Sequence, residues 1–404
     1  MRIPQLSKLK LALTVGLLGV TVSQNLFAES VTEALTTGNV YGDFNLRYES
    51  VEQDNTAKDA SALTLRTRLG YRSGTVNGFS ATVEMEDSRI VMGQGDFTVG
   101  PAGYNSGIYS VIADPESTEL DQGFIQYKND KLTAKLGRQV ITMDGHRFVG
   151  HVGWRQDRQT FDAMSVSYAP VKDLSIKYAY VTQRNRIFAE AADIDSKDHL
   201  LNVSYNTAYG KLVGYSYLLE MDNETENALD TFGFSFSGNT KAAETTLVYA
   251  FEYAKQSSET ATTDYDVDYL KLEAGAVLSG ITTKLGYEVL GSDEGVFGFS
   301  TPLATLHKFN GWSDQFLSTP AQGLVDTYIS LAGKLAGGGW AVAYHGYEAD
   351  ESTVDVDDLG SELNVSYVKK FGKNYVAGVK YATYAAGDIK VDADKLWVWV
   401  GAKF

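Results

Sequence analysis

The sequence predicts a closed, antiparallel, up-and-down transmembrane β-barrel of about 18 strands. Three observations predict it. Apolar and polar residues alternate at period two through most of the chain. The connections between alternating segments are short and long by turns. The chain ends in an alternating segment whose last residue is aromatic.

The amino end reads as a targeting segment. Arg2, Lys8 and Lys10 precede an apolar run over residues 11–22. That run has the length of a signal-peptide core and is too short to cross a bilayer as a helix. Leu26-Phe27-Ala28 offers a cleavage site. Residues 1–28 are therefore expected to be a signal peptide, 29–37 a short periplasmic lead-in, and 38–404 the barrel. The expected location is the outer membrane of a Gram-negative bacterium.

The alternating segments come next. Val40, Gly42, Phe44, Leu46 and Tyr48 alternate with Tyr41, Asp43, Asn45, Arg47 and Glu49. Leu63, Leu65, Thr67, Leu69 and Tyr71 alternate with Thr64, Arg66, Arg68, Gly70 and Arg72. Phe79, Ala81, Val83 and Met85 alternate with Ser80, Thr82, Glu84 and Glu86, and Ile281 to Val289 repeats the pattern around Lys284 and Glu288. Each segment has one lipid-compatible face and one polar face. A soluble sandwich would show the same alternation, so the connections decide. Eight are short, near 73–78, 129–131, 170–173, 207–211, 237–241, 279–280, 336–339 and 370–373. Nine are long, near 52–60, 90–118, 142–159, 184–197, 221–229, 256–266, 291–322, 349–358 and 386–393. Short turns at one end and long loops at the other are the rhythm of an outer-membrane barrel.

The final segment supports closure. Leu396, Val398, Val400, Ala402 and Phe404 share one face, and Trp397, Trp399, Gly401 and Lys403 the other. A last strand that pairs with the first leaves no open edge. Phe404 resembles the terminal aromatic that marks such chains for the barrel assembly machinery.

Composition excludes several classes. There is no Cys, so thiol catalysis, disulfides and thiolate metal sites are unavailable. Removing residues 1–28 leaves 32 basic and 51 acidic residues, a net charge of −19, which excludes a general nucleic-acid binder. Mean hydropathy is −0.19, and no later run of about 20 apolar residues offers a spanning helix. With 25 Tyr, 18 Phe, 39 Gly and 6 Pro, the chain suits strands with aromatic girdles.

Several stretches resemble the alginate export family. They are Leu136-Gly137-Arg138-Gln139, the run from Arg147 to Gln156, Arg184-Asn185-Arg186-Ile187-Phe188, and the run from Leu306 to Leu317. Phe161-Asp162 and the run from Asp114 to Leu120 are similar too. The resemblance implies an 18-stranded monomeric barrel and, for its best-known members, export of an anionic polysaccharide through an arginine-rich lumen. This sequence departs from that pattern. Its inward faces mix Arg47, Arg66, Arg68, Arg72, Lys135, Lys177, Lys271 and Lys284 with Asp43, Glu84, Glu86, Glu244, Glu252, Glu273 and Glu288.

The candidate pore-lining residues are Arg47, Arg66, Arg68, Arg72, Glu84, Glu86, Lys135 and Lys284. Arginine facing lipid near the midplane costs about 2–4 kcal/mol, so the ladder of Arg66, Arg68 and Arg72 must face the lumen. A basic strand flanking an acidic one sets up a transverse field; the same charges could equally pair and fill the lumen. The loops over 90–118 and 142–159 are long enough to fold inward. Arg147, His151, Trp154 and Arg155 are the candidates for a constriction. Trp154 could offer an aromatic surface to a solute, or pack the loop to the wall while Arg155 ties down an acid.

Metal and catalytic patterns are weak. A calcium loop needs Gly at its sixth position and Glu at its twelfth. From Asp264 these are Tyr269 and Gly275, and from Asp355 they are Gly360 and Ser366. The five His show no ligand spacing. No metal, cofactor or enzymatic activity is expected. The expected partners are outer-membrane lipid, lipopolysaccharide, the assembly machinery and small hydrophilic solutes. The expected function is a passive porin-like channel favouring organic or sugar anions. A polysaccharide exporter and a non-conducting structural or adhesion barrel are the alternatives.

Overall fold

The computed structural model describes residues 24–100, 104–225 and 227–404. A helix, α1 (Gln24–Thr36), leads into the strands. The basic segment and the whole apolar run expected as a signal lie outside the described residues, while Ala28 falls within α1. The stretch expected as the lead-in, residues 29–37, is helical through Thr36. Its end docks on the first tight turn, where the Gly74 amide donates to the Ala34 carbonyl at 2.8 Å.

Twenty strands follow: β1 (Asn39–Gln53), β2 (Ala60–Arg72), β3 (Phe79–Asp96), β4 (Ser117–Lys128), β5 (Leu132–Gln139), β6 (Thr160–Tyr168), β7 (Leu174–Asn185), β8 (Ile194–Thr207), β9 (Gly210–Glu220), β10 (Ala228–Ala242), β11 (Thr245–Glu259), β12 (Asp264–Leu278), β13 (Ile281–Leu290), β14 (Ser292–Asp293), β15 (Phe297–Gly298), β16 (Leu324–Leu335), β17 (Gly338–Glu348), β18 (Asp358–Phe371), β19 (Tyr375–Ala385) and β20 (Ala393–Lys403). Strands β14 and β15 make a small hairpin within a loop. The other 18 form one sheet in which each strand pairs antiparallel with the next. The sheet closes where β1 meets β20, from Asp43 opposite Lys403 to Gln53 opposite Ala393. Among the described residues every strand of the wall has a partner on both sides, the arrangement a hydrocarbon surrounding demands.

Period-two patterning sets the faces. Leu69, Val83, Met85, Ile125, Leu136, Phe232, Leu285 and Val400 are exposed on the outer surface. Their neighbours Arg66, Arg68, Thr82, Glu84 and Glu86 are buried inside. Glu244 departs from the inward set, because it lies in the tight turn between β10 and β11 rather than on a strand.

The inward faces are not polar throughout. At the long-loop end Ala179, Val181, Leu200, Tyr215, Tyr217, Tyr269, Tyr347 and Tyr384 point inward and form a buried apolar cluster with Ile141, Val149, Leu303 and Phe316. The core of this barrel therefore sits inside its lumen, where two long loops pack on the wall. These are L3 (140–159), between β5 and β6, and L7 (291–323), between β13 and β16. The second long loop, L2 (97–116), adds a smaller cluster around Phe97 and Ile112.

Candidate functional site

L3 crosses the lumen because its charged side chains find carboxylates on the wall. Arg155 Nη1 donates to both Glu49 oxygens at 3.1 and 3.0 Å, and Nη2 donates to Asp314 of L7 at 3.1 Å. Burial works against the Arg155 charge, but Glu49, Asp114 and Asp314 outweigh it and hold the guanidinium protonated. Gln156 donates from its side chain to Thr64 Oγ1 at 2.8 Å and from its amide to Asp114 Oδ1 at 2.9 Å. Arg158 Nε reaches Asp121 at 3.0 Å, and its side chain also pairs with Glu84. Arg147 pairs with Glu288 at 2.8 Å and donates to Asn310 at 3.1 Å.

The predicted ladder is tied into the same network. Arg47 donates to the Asp114 carboxylate and to the Trp154 carbonyl. Arg66 pairs with Asp43 at 3.0 Å and Arg68 pairs with Glu86. Lys284 pairs with Glu273 at 2.8 Å. Arg72 and Lys135 stand apart. Among the described residues neither has a carboxylate within ion-pair distance; Arg72 lies over the Tyr41 ring and Lys135 over the Phe124 ring.

L7 meets L3 inside the long-loop end of the lumen. Val149 and Leu303 form a parallel bridge, and the Gly150 amide donates to the Leu303 carbonyl at 2.8 Å. Glycine at 150 permits this approach: a Cβ there would lie 2.3 Å from Thr305 Oγ1. L7 is held to the far wall by Asn310, which donates to Glu288 at 3.0 Å and Asp326 at 3.1 Å, and by the Ser313 amide on Glu362 at 2.8 Å.

An aromatic and basic knot joins both loops to β19 and β20. Trp154 stacks on His307 at 5.0 Å and meets Trp397 and Trp399 edge-on. Lys380 Nζ donates to His307 Nε2 at 2.8 Å and sits 3.9 Å from the Trp312 ring centre. The other imidazole nitrogen, Nδ1, lies 2.7 Å from Asp314, so a neutral ring with its proton on Nδ1 satisfies both bonds. Burial first, then Lys380 and Arg155, push His307 down to about 3. Asp314 is held well below the carboxylate range: burial raises it, but His307, Lys395 and Arg155 win. His151 sits beside His146 at 5.2 Å, and burial with Arg158 lowers it to about 4.

Cavities remain on both sides of the loops. One of about 380 Å³ opens at the long-loop end between Arg184, Arg186, Leu219, Phe297 and Leu303. Another of about 200 Å³ is lined by Arg155, Arg186, His307 and Asp314. Toward the short turns a third, of about 200 Å³, is lined by Lys135, Lys177, Gln139, Ser165 and Ser167, with no carboxylate.

Of the residues singled out from sequence, Arg47, Arg66, Trp154 and Arg155 converge, while Arg147 joins the β13 wall and His151 only its own loop. Sequence reasoning gave no site role to Asp114, Arg158, Asp314, His307 or Lys380. The available signals were the charged loop over 142–159, which holds Arg158, and the family-like stretches 114–120 and 306–317, which hold Asp114, His307 and Asp314 without saying what they meet.

This arrangement can be set beside known proteins. The alginate export family matches residues 35–289. The chain belongs to the alginate export family. No curated protein matches the sequence. Among solved structures, OpdK of Pseudomonas aeruginosa, determined with vanillate, is similar at a TM-score of 0.71 and 13% identity, over 92% of this chain and 99% of that one. OccAB4 of Acinetobacter baumannii is similar at a TM-score of 0.71 and 14% identity, over 92% and 100%. OccAB1 of the same organism gives 0.69 and 12%, over 92% and 97%. At these identities the likeness is one of fold. The fold is that of the outer-membrane porins, an 18-stranded antiparallel barrel.

Proposed function

We propose that this family member is a passive outer-membrane channel for small hydrophilic solutes, with a preference for organic or sugar anions. The single observation that carries the preference is the cavity on the short-turn side. Lys135 and Lys177 line it beside Gln139, Ser165 and Ser167, and no acid shares the lining. Among the described residues neither ammonium has an ion-pair partner, and two such groups in a low-dielectric passage favour a carboxylate. The solved neighbours support the channel reading through their shared barrel.

The exporter of an anionic polysaccharide is the lesser reading. A polyanion needs a continuous basic path. Here Arg47, Arg66, Arg68, Arg147, Arg155 and Arg158 all pair with carboxylates. The outward apolar belt would sit in lipid with lipopolysaccharide at the long-loop rim, after removal of residues 1–28 and insertion by the assembly machinery. Conductance in a planar bilayer tests the proposal. Steady ion current that small carboxylates reduce as they occupy the pore is expected. Absence of current from folded barrel would instead leave a structural or adhesion role.

A further inference from the structure

We propose that Glu86, Glu119 and Asp157, with the Ser88 hydroxyl beside them, form a divalent-cation site of the calcium class that ties L3 to the barrel wall. β3 supplies Glu86, β4 supplies Glu119 directly opposite it in register, and the end of L3 supplies Asp157. One carboxylate oxygen from each lies within 4.8 Å of the others. Oxygens bound to one ion at the usual calcium distance of about 2.3–2.6 Å are at most about 5 Å apart, so the three are spaced for a shared ion once the carboxylates draw in by a few tenths of an ångström. The donors are all oxygen, the set a hard cation takes.

Charge accounting requires a positive partner here. Glu84, Glu86, Glu119, Asp121 and Asp157 crowd this wall. The basic groups that reach them are Arg68, on Glu86 and Asp121, and Arg158, on Glu84 and Asp121. Among the described residues Glu119 and Asp157 have no ion-pair partner, and the guanidinium of nearby Arg138 is committed to Asp162. Glu86 and Asp157 are 0% exposed. Like charges facing each other across a strand pair repel, and buried charge without a counter-charge is strongly disfavoured.

A second observation points the same way. Ser88 lies two residues from Glu86 on the same inward face, opposite Ser117. Ser117 Oγ donates to Asp157 Oδ2 at 3.4 Å. Among the described residues the buried Ser88 hydroxyl has no hydrogen-bond partner, and Asp157 Oδ1 has none apart from a proton shared between Asp157 and Glu119. Buried polar atoms are almost always satisfied. These two oxygens beside three clustered carboxylates mark a place for an electron-pair acceptor. Burial and the surrounding acids also push the Asp157 carboxyl far above the carboxylate range. A shared proton is therefore the competitor that calcium displaces. Binding releases that proton, the ion leaves the three ionised carboxylates with a net charge of −1, and it fixes the loop end that carries Trp154, Arg155 and Arg158.

The test uses the whole barrel folded in detergent and stripped of divalent ions on a chelating resin. Calcium chloride is titrated by calorimetry at pH 7.5. Wild type is expected to bind one ion more than Glu119→Gln and Asp157→Asn, over a background from the acidic outer loops common to all three. Ser88→Ala keeps every charge and should weaken that ion about three- to tenfold. Chelator should raise open-channel noise in wild type and leave Asp157→Asn unchanged. Superimposable titrations of wild type and variants would overturn the site. So would a wild-type barrel that acid quiets but calcium does not affect. If the acidic variants fail to fold, the calcium-dependent rise in wild-type melting temperature, blunted in Ser88→Ala, carries the same decision. Calorimetry needs no conduction, so failure of this site and failure of the channel reading are separable.

Discussion

Arg155 and Glu49, 106 residues apart in sequence, meet inside the lumen through two hydrogen bonds of 3.0 and 3.1 Å from one guanidinium nitrogen. The contact fixes L3 against β1. Breaking a buried pair by removing one partner costs about 3–5 kcal/mol, because the other charge stays buried. Arg155→Met should therefore free the loop without opening the wall, whose ladder it does not touch. Single-channel recording is expected to show higher conductance and more open-state noise. The folded band on an unheated gel should persist. A quiet channel of unchanged conductance would remove the pair from the constriction.

Selectivity should follow the unpaired cations rather than the paired ladder. Lys135→Gln with Lys177→Gln is expected to move the reversal potential in a salt gradient toward cations. The shift should be largest at low salt, because the Debye length is about 30 Å at 0.01 M and 10 Å at 0.1 M. Arg66→Gln with Arg68→Gln should also shift it toward cations, by exposing Asp43 and Glu86, and should in addition cost stability. An unaltered reversal potential in the lysine pair would relocate the preference to the loops.

Acid should loosen the junction of L7 with the wall. His307 is neutral in the fold and titrates at about 3, below its ordinary 6.5. In a released loop it takes a proton below pH 6.5; in the docked loop it does not. Docking is thus unaffected above 6.5 and weakens as pH falls toward 3, by about 1.4 kcal/mol per unit. Asp314, depressed in the fold, adds to this below its ordinary 3.8. Asp157 acts in the opposite sense where no cation is bound, since its raised carboxyl favours the fold in acid. Comparing wild type with His307→Asn isolates the histidine: noise should rise from pH 6.5 to 4 more steeply in wild type. Parallel curves would contradict this assignment.

Phe404 extends the closing seam between β1 and β20. Phe404 exchanges two backbone hydrogen bonds of 3.1 Å with Gly42, and its ring lies 6.1 Å from Phe44. Deleting Phe404 should lower the amount of folded barrel in the outer-membrane fraction severalfold and increase periplasmic breakdown products. Normal assembly of the truncated chain would dispose of its role as a signal.

The wall was legible in the sequence because each strand writes its own two faces. Arg66, Arg68 and Arg72 announce a lumen face without reference to any other strand, and the loop rhythm then gives the strand number. The site was less legible because its bonds are not local. Nothing near Arg155 names Glu49 or Asp314, and a search for consecutive calcium ligands misses Glu86, Glu119 and Asp157, which come from three segments. Apolar inward residues such as Tyr215 and Tyr269 break the expected polar lining only because L3 and L7 cover them, a tertiary fact no single strand encodes. The helix over residues 24–36 likewise gave no strong signal, since the expected cleavage site falls inside it.

The bridge between Val149 and Leu303 has a mechanical consequence. Two loops from different sectors of the rim are joined inside the bore by one backbone bridge. Each is the other's abutment, as two half-arches are at a keystone. Shortening either loop would deprive both of support. A wider bore is then reached in one step, by parting the span, and not by graded retreat of a single loop.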